Sequence, residues 1–169
     1  MDPKVQELLD KQACEELVMR YGRTQDWLDT PGQDSCFWPD ADIDFGFFKG
    51  NGADWVETVM PHEKEAIRRW HMSTSVLIKV DGDKAVGECY GIAVGTSKNE
   101  DGSLSDNMYG GRYLDEFEKR ADEWRISKRT YILDWSNSFP NAIDAMTPEE
   151  FSLNILQIPE PGHPMYRPL

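Results

Sequence analysis

Basic residues, long apolar runs, histidines and paired cysteines are all scarce in this 169-residue chain. There are 18 Lys+Arg against 31 Asp+Glu, a net charge of −13. Such a surface repels phosphate backbones and anionic headgroups, so neither nucleic acid nor membrane is expected among its partners. Apolar runs such as Tyr131–Leu133 are far too short to span a bilayer. The opening Met1-Asp2-Pro3-Lys4 lacks the basic-then-apolar layout of a secretory leader, which makes the cytoplasm the expected address. Cys14, Cys36 and Cys89 are odd in number and widely spaced, with no Cys-x-x-Cys pair. Three buried thiols are expected from them, in place of a disulfide framework or a zinc site. The sequence also lacks a Gly-x-Ser-x-Gly elbow, a His-Glu-x-x-His helix and any phosphate-cradling glycine loop. No metal and no cofactor is expected, and an enzyme built on this chain would work with its side chains alone.

Aromatic residues, by contrast, are plentiful. Six Trp, six Tyr and seven Phe make up 11% of the chain, enough to wall a pocket as well as fill a core. The length suits one domain. Asp2-Pro3 reads as an N-cap followed by proline at the first helical position. Val5, Leu8, Leu9, Ala13, Leu17, Val18 and Tyr21 then recur at helical spacing, which predicts an amphipathic helix to about residue 28. Cys36–Asp42 reads as a tight connection and Ile43–Phe48 as a short strand. Ala53–Met60 and His62–Trp70 read as two short helices parted by Pro61. Beyond them the apolar period changes to two. Strands are predicted over His71–Val80, Lys84–Thr96, Met108–Lys119 and Trp124–Trp135, with turns at Asp81-Gly82-Asp83 and Arg120–Glu123. A bulge is expected at Gly110-Gly111. Helices first and a four-stranded meander last give an α+β domain, helices packed on one face of a curved sheet. The tail from Ser136 is rich in proline and offers one plausible helical turn at Pro148–Leu156.

Of the three histidines, His163 sits in the proline-rich tail and is expected to be inert, and His62 at a helix start is expected to be exposed to solvent. His71 opens a strand whose more apolar face carries Met72, Thr74, Val76, Ile78 and Val80. Alternation puts His71 on the other face, with Ser73, Ser75 and Leu77. Asp26 lies about 140° round the helix from Tyr21, near the edge of the buried stripe. A partly buried carboxylate needs a partner. Were that partner His71, Asp26 would fix its tautomer and make it a general base poised near neutral pH. Asp29, at the helix end, reads as a cap.

Motif order adds to this. Glu15–Tyr21 leads to Asp26, and Phe37-Trp38-Pro39-Asp40-Ala41 follows. Then come His71, Val80–Ala85, Gly111–Glu118 and Trp124–Arg129. The series resembles the SnoaL-like group of the nuclear transport factor 2 superfamily over residues 4–136. The resemblance implies an α+β cone-shaped barrel, its N-terminal helices packed on a strongly curved, mostly antiparallel sheet that encloses a pocket. It divides the chain into a cone domain, residues 1–136, and an extension, residues 137–169, packing on that domain or on a neighbouring subunit. Members of the scytalone dehydratase, hexachlorocyclohexane dehydrochlorinase and diarylpropane formaldehyde lyase types imply elimination chemistry without cofactors. The first two place an Asp–His pair where Asp26 and His71 stand. A homo-oligomer, dimer or trimer, is implied as well.

The resulting expectation is a cofactor-independent lyase on a hydrophobic, phenolic or aromatic hydroxylated small molecule such as a lignin-derived dimer. The elimination extends to C–C cleavage releasing formaldehyde, with His71 as acid/base and Asp26 as its orienting partner. Tyr21 is placed at the cavity mouth. Tyr113 and Lys128 are placed on substrate oxygens, with Arg112 and Arg129 as the alternatives if strand parity is opposite. Trp27, Trp38, Phe45, Phe47, Trp55 and Tyr90 are placed as pocket walls. The same pattern leaves open an isomerase or hydrolase using that pocket, and a non-catalytic ligand-binding or oligomerisation module.

Overall fold

Asp2 caps the first helix as its sequence predicts, its carboxylate accepting the Lys4 N–H at 2.8 Å. A computed structural model describes residues 2–143 and 154–169. The helix, α1 (Pro3–Asp26), buries Cys14, Leu17, Val18 and Tyr21 along one stripe. Asp29 caps the short α2 (Thr30–Asp34) by accepting the Gly32 N–H at 3.0 Å. The connection expected at Cys36–Asp42 is instead a strand, β1 (Phe37–Asp44). It pairs in parallel with the last strand of the chain, and Pro39 falls in the irregular stretch between the paired residues Phe37 and Asp42. A proline that needs no ladder bond is tolerated there, and local sequence cannot show a partner so distant.

β2 (Lys49–Gly50) and α3 (Gly52–Glu65) follow. Two helices parted by Pro61 were the expectation; α3 instead runs through Pro61, which lies on its exposed side near the C-terminus. Glu57, whose carbonyl loses its N–H partner to that proline, is itself an exposed residue, which softens the usual penalty. The predicted helix over His62–Trp70 likewise ends early. Ile67 N–H bonds the Thr96 carbonyl at 2.9 Å, and β3 (Arg68–Asp81) begins.

β4 (Lys84–Lys98), β5 (Leu104–Arg120) and β6 (Glu123–Asn141) complete the meander, β6 running past the expected end at Trp135. The sheet has six strands in the order β2-β1-β6-β5-β4-β3. It is curled but not closed, with β2 and β3 as its edges. The fold is therefore α+β as expected, with the helices against the concave face. All three cysteines are buried there, and burial pushes each thiol up to about 12, which makes them packing groups. The helical turn expected at Pro148–Leu156 lies mostly outside the described residues. Among the described residues, no helix is long and apolar enough to cross a membrane.

Candidate active site

Two helices and an edge strand bring the site together. α1 crosses β3 so closely at Gly22 that a Cβ there would lie 2.9 Å from the Cβ of His71. One turn later in α1 stands Asp26. Its Oδ1 lies 2.8 Å from His71 Nδ1, and its Oδ2 accepts the His71 backbone N–H at 3.1 Å. The carboxylate thus grips both ring and backbone. Nδ1 carries the proton that Asp26 accepts, and Nε2 is left as the basic atom.

Nε2 faces a third charged group, Glu63 near the end of α3, at 3.9 Å. The three side chains are only 10% (His71), 18% (Asp26) and 16% (Glu63) exposed. Burial alone would push the imidazole down. The hydrogen bond from Asp26 and the charges of Glu63 and Asp26 outweigh it, so His71 titrates above its ordinary 6.5. Burial raises the Glu63 carboxyl above the usual range, with His71, Arg69 and His62 offsetting part of the effect. Sequence reasoning missed Glu63 because it divided α3 at Pro61. Carried on through the proline, the helical repeat puts Glu63 four residues after the buried Val59 and so on the same face.

Bulges decide which other residues point inward. In β3 the pairing skips between Thr74 and Leu77, and Ser75 has φ 52. This extra residue flips the alternation. His71 and Ser73 face the concave side before it, and Val76, Ile78 and Val80 do so after it, while Leu77 is 77% exposed. The single face expected to carry His71, Ser73, Ser75 and Leu77 is therefore corrected. A second skip, where Ile126 and Lys128 pair with adjacent residues of β5, turns Arg129 inward and Lys128 out. Lys128 pairs with Asp42 at 3.0 Å on the surface. On β5 Tyr113 is inward and Arg112 outward, bound to Asp134 at 3.0 Å and lying over the Tyr90 ring. The third skip falls at Gly110-Gly111, as expected.

Most of the expected wall residues therefore lie elsewhere. Tyr21 is not at a mouth but buried, with the Arg129 guanidinium 4.2 Å from its ring centre and 4.4 Å from that of Tyr113. Arg129 in turn bonds Asp115 through two contacts of 2.7 and 2.6 Å. Trp55 is buried and stacked on Phe45 at 4.0 Å, so both fill the core. Trp38 is held between Arg120 and Arg125, Phe47 is 79% exposed, and Trp27 packs against His163 and Tyr166 of the tail. A cleft of about 300 Å³ opens beside Asp26 and Arg69, with Thr96, Asp106 and Asn141 on its polar side and Trp70, Leu156 and Ile158 on its apolar side. None of the six expected wall residues borders it. The concave floor next to His71 is made of small residues: Ala93 pairs with His71, Gly91 with Ser73 and Gly95 with Arg69. Nothing lies within 4 Å of where a Cβ of Gly95 would be, and Tyr109 stands across Ala93 from His71 in the same row.

A curled six-stranded sheet with helices packed in its concavity is the NTF2-like fold. Residues 6–130 match the SnoaL-like domain family, and the chain belongs to that family. Among solved structures it is similar to Rv3472, a protein of unknown function from Mycobacterium tuberculosis. The identity is 25%, over 79% of this chain and 77% of that one, with a TM-score of 0.67. It is similar in fold to a scytalone dehydratase-like protein from Novosphingobium aromaticivorans, at 17% identity over 77% and 87% of the two chains and a TM-score of 0.67. Hexachlorocyclohexane dehydrochlorinase LinA-type3 from Novosphingobium barchaimii shares the fold too, at 19% identity over 83% and 95%, with a TM-score of 0.67. No curated protein sequence gives a match.

Proposed function

We propose that the protein is a cofactor-independent lyase acting on a hydrophobic, hydroxylated aromatic small molecule, lignin-derived dimers being one class to test. The grip of Asp26 on both the ring and the backbone N–H of His71 carries this reading. A buried imidazole fixed in one tautomer, with Nε2 bare, is a general base. It removes a proton acidified by a neighbouring aromatic ring or carbonyl, and the electron pair left behind expels the hydroxyl group. Asp26 stabilises the imidazolium so formed. The small residues Ala93 and Gly95 leave room beside His71 for a flat ring, and Tyr109 supplies an aromatic face. The dehydratase-like and dehydrochlorinase neighbours favour elimination over hydrolysis or isomerisation among the chemistries such a pair can perform.

His71→Ala is expected to abolish turnover of phenolic benzylic alcohols and lignin-type dimers while leaving the circular dichroism spectrum intact. Turnover that survives the substitution removes the reading.

We also propose self-association through the convex face of the sheet. Trp70, Met72, Tyr90, Ile132 and Trp135 are exposed and share that face by register. Exposed apolar area of this kind favours a protein partner.

A further inference from the structure

Elimination of hydroxide needs two proton transfers, one away from the substrate and one onto the departing oxygen. The Asp26–His71 pair accounts for the first. A second buried acid within a few ångströms of the base would supply the other without waiting for the imidazolium to turn. Glu63 is such a group: its Oε1 lies 3.9 Å from His71 Nε2, and its side chain is 16% exposed. The groups around it are His71 and Arg69 on β3, Asp26 on α1 and His62 on its own helix. Arg69 is already committed to main-chain carbonyls, donating to Ile158 at 2.9 Å and Ala66 at 2.5 Å, so it adds positive charge without closing an ion pair on Glu63.

The gap of 3.9 Å is too long for a direct hydrogen bond. It matches the spacing between a base and an acid that act on a hydrogen and an oxygen leaving adjacent carbons on one face of a substrate. We infer that Glu63 is the general acid of the site, protonating the leaving hydroxyl while His71 takes the substrate proton. This inference rests on the lyase reading. The C–H bond breaks to His71 Nε2, its electrons form the new C=C bond, and the C–O bond breaks as the oxygen takes the Glu63 proton and leaves as water. His71 is then imidazolium and Glu63 carboxylate, facing each other. Return of one proton from Nε2 to Oε1 restores both, so the cycle consumes nothing beyond the substrate.

Leaving groups that need no proton separate this role from a structural one. The probes are a β-hydroxy aryl ketone and its β-chloro counterpart, each corrected for uncatalysed elimination. Glu63→Gln keeps the shape of the side chain and removes the proton. It is expected to cut kcat/KM on the hydroxy ketone at least about 100-fold and on the chloro ketone less than about tenfold. It should also turn a bell-shaped pH profile on the hydroxy ketone into a single ascending limb. Equal losses on both probes, or a descending limb that persists in the variant, overturn the assignment to Glu63. The lyase reading fails separately if His71→Ala leaves both rates unchanged, or if the wild type turns over neither probe, and the assignment falls with it.

Discussion

At the scale of single residues, the site depends on the two contacts that Asp26 makes. His71 titrates above 6.5 because attraction to Asp26 and Glu63 outweighs its burial. In the proposed reaction a leaving group that needs no proton, such as chloride, requires only the neutral imidazole, so kcat/KM on the chloro ketone is expected to rise with pH through that elevated value. Asp26→Asn removes the charge and the hydrogen bond that raise it. The ascending limb should therefore move to lower pH, while kcat falls by at least about 100-fold because the tautomer is no longer enforced. A limb that stays in place would show that Asp26 does not set the His71 equilibrium. Asp26 and His71 were legible in the sequence because a carboxylate at the edge of an apolar stripe and a histidine opening a strand are both costly without a partner. Glu63 was not, because a proline in a helix is ordinarily a boundary.

At the scale of elements, the helices and the meander followed from periodicity and turn residues, but the parity of the strands did not. One extra residue at Ser75 and another beyond Ile126 exchange inside and outside. Lys128 and Arg129 thus take opposite roles from those that plain alternation assigns. The determinants of a bulge lie in the partner strand and the curvature of the sheet, which no local pattern records. The β5–β6 hairpin keeps its register at some cost. Ala121 and Asp122 form its two-residue loop with φ of 51° and 66°, a conformation that disfavours both side chains. Replacing the pair by Asn-Gly is expected to stabilise the protein by about 1–2 kcal/mol in urea unfolding. No gain would mean that the loop is not strained as its dihedral angles indicate.

At the scale of the whole molecule, a net charge of −13 coexists with an apolar convex face, a combination suited to specific association rather than to general stickiness. Met72→Lys together with Ile132→Lys should reduce the mass seen by light scattering from a multimer to one protomer, with unfolding little changed. A wild type already at protomer mass removes that proposal. The opposite edge of the sheet has a different consequence. β3 has a sheet partner on one side only, and for that reason the His71 amide is free to be held by Asp26. In a central strand a neighbouring carbonyl would compete for that proton. Growth of the sheet along β3, whether by an inserted strand or by strand exchange between copies, would thus disarm the site as it was built. A strand added at the other border, beyond β2, would leave the grip of Asp26 on His71 in place.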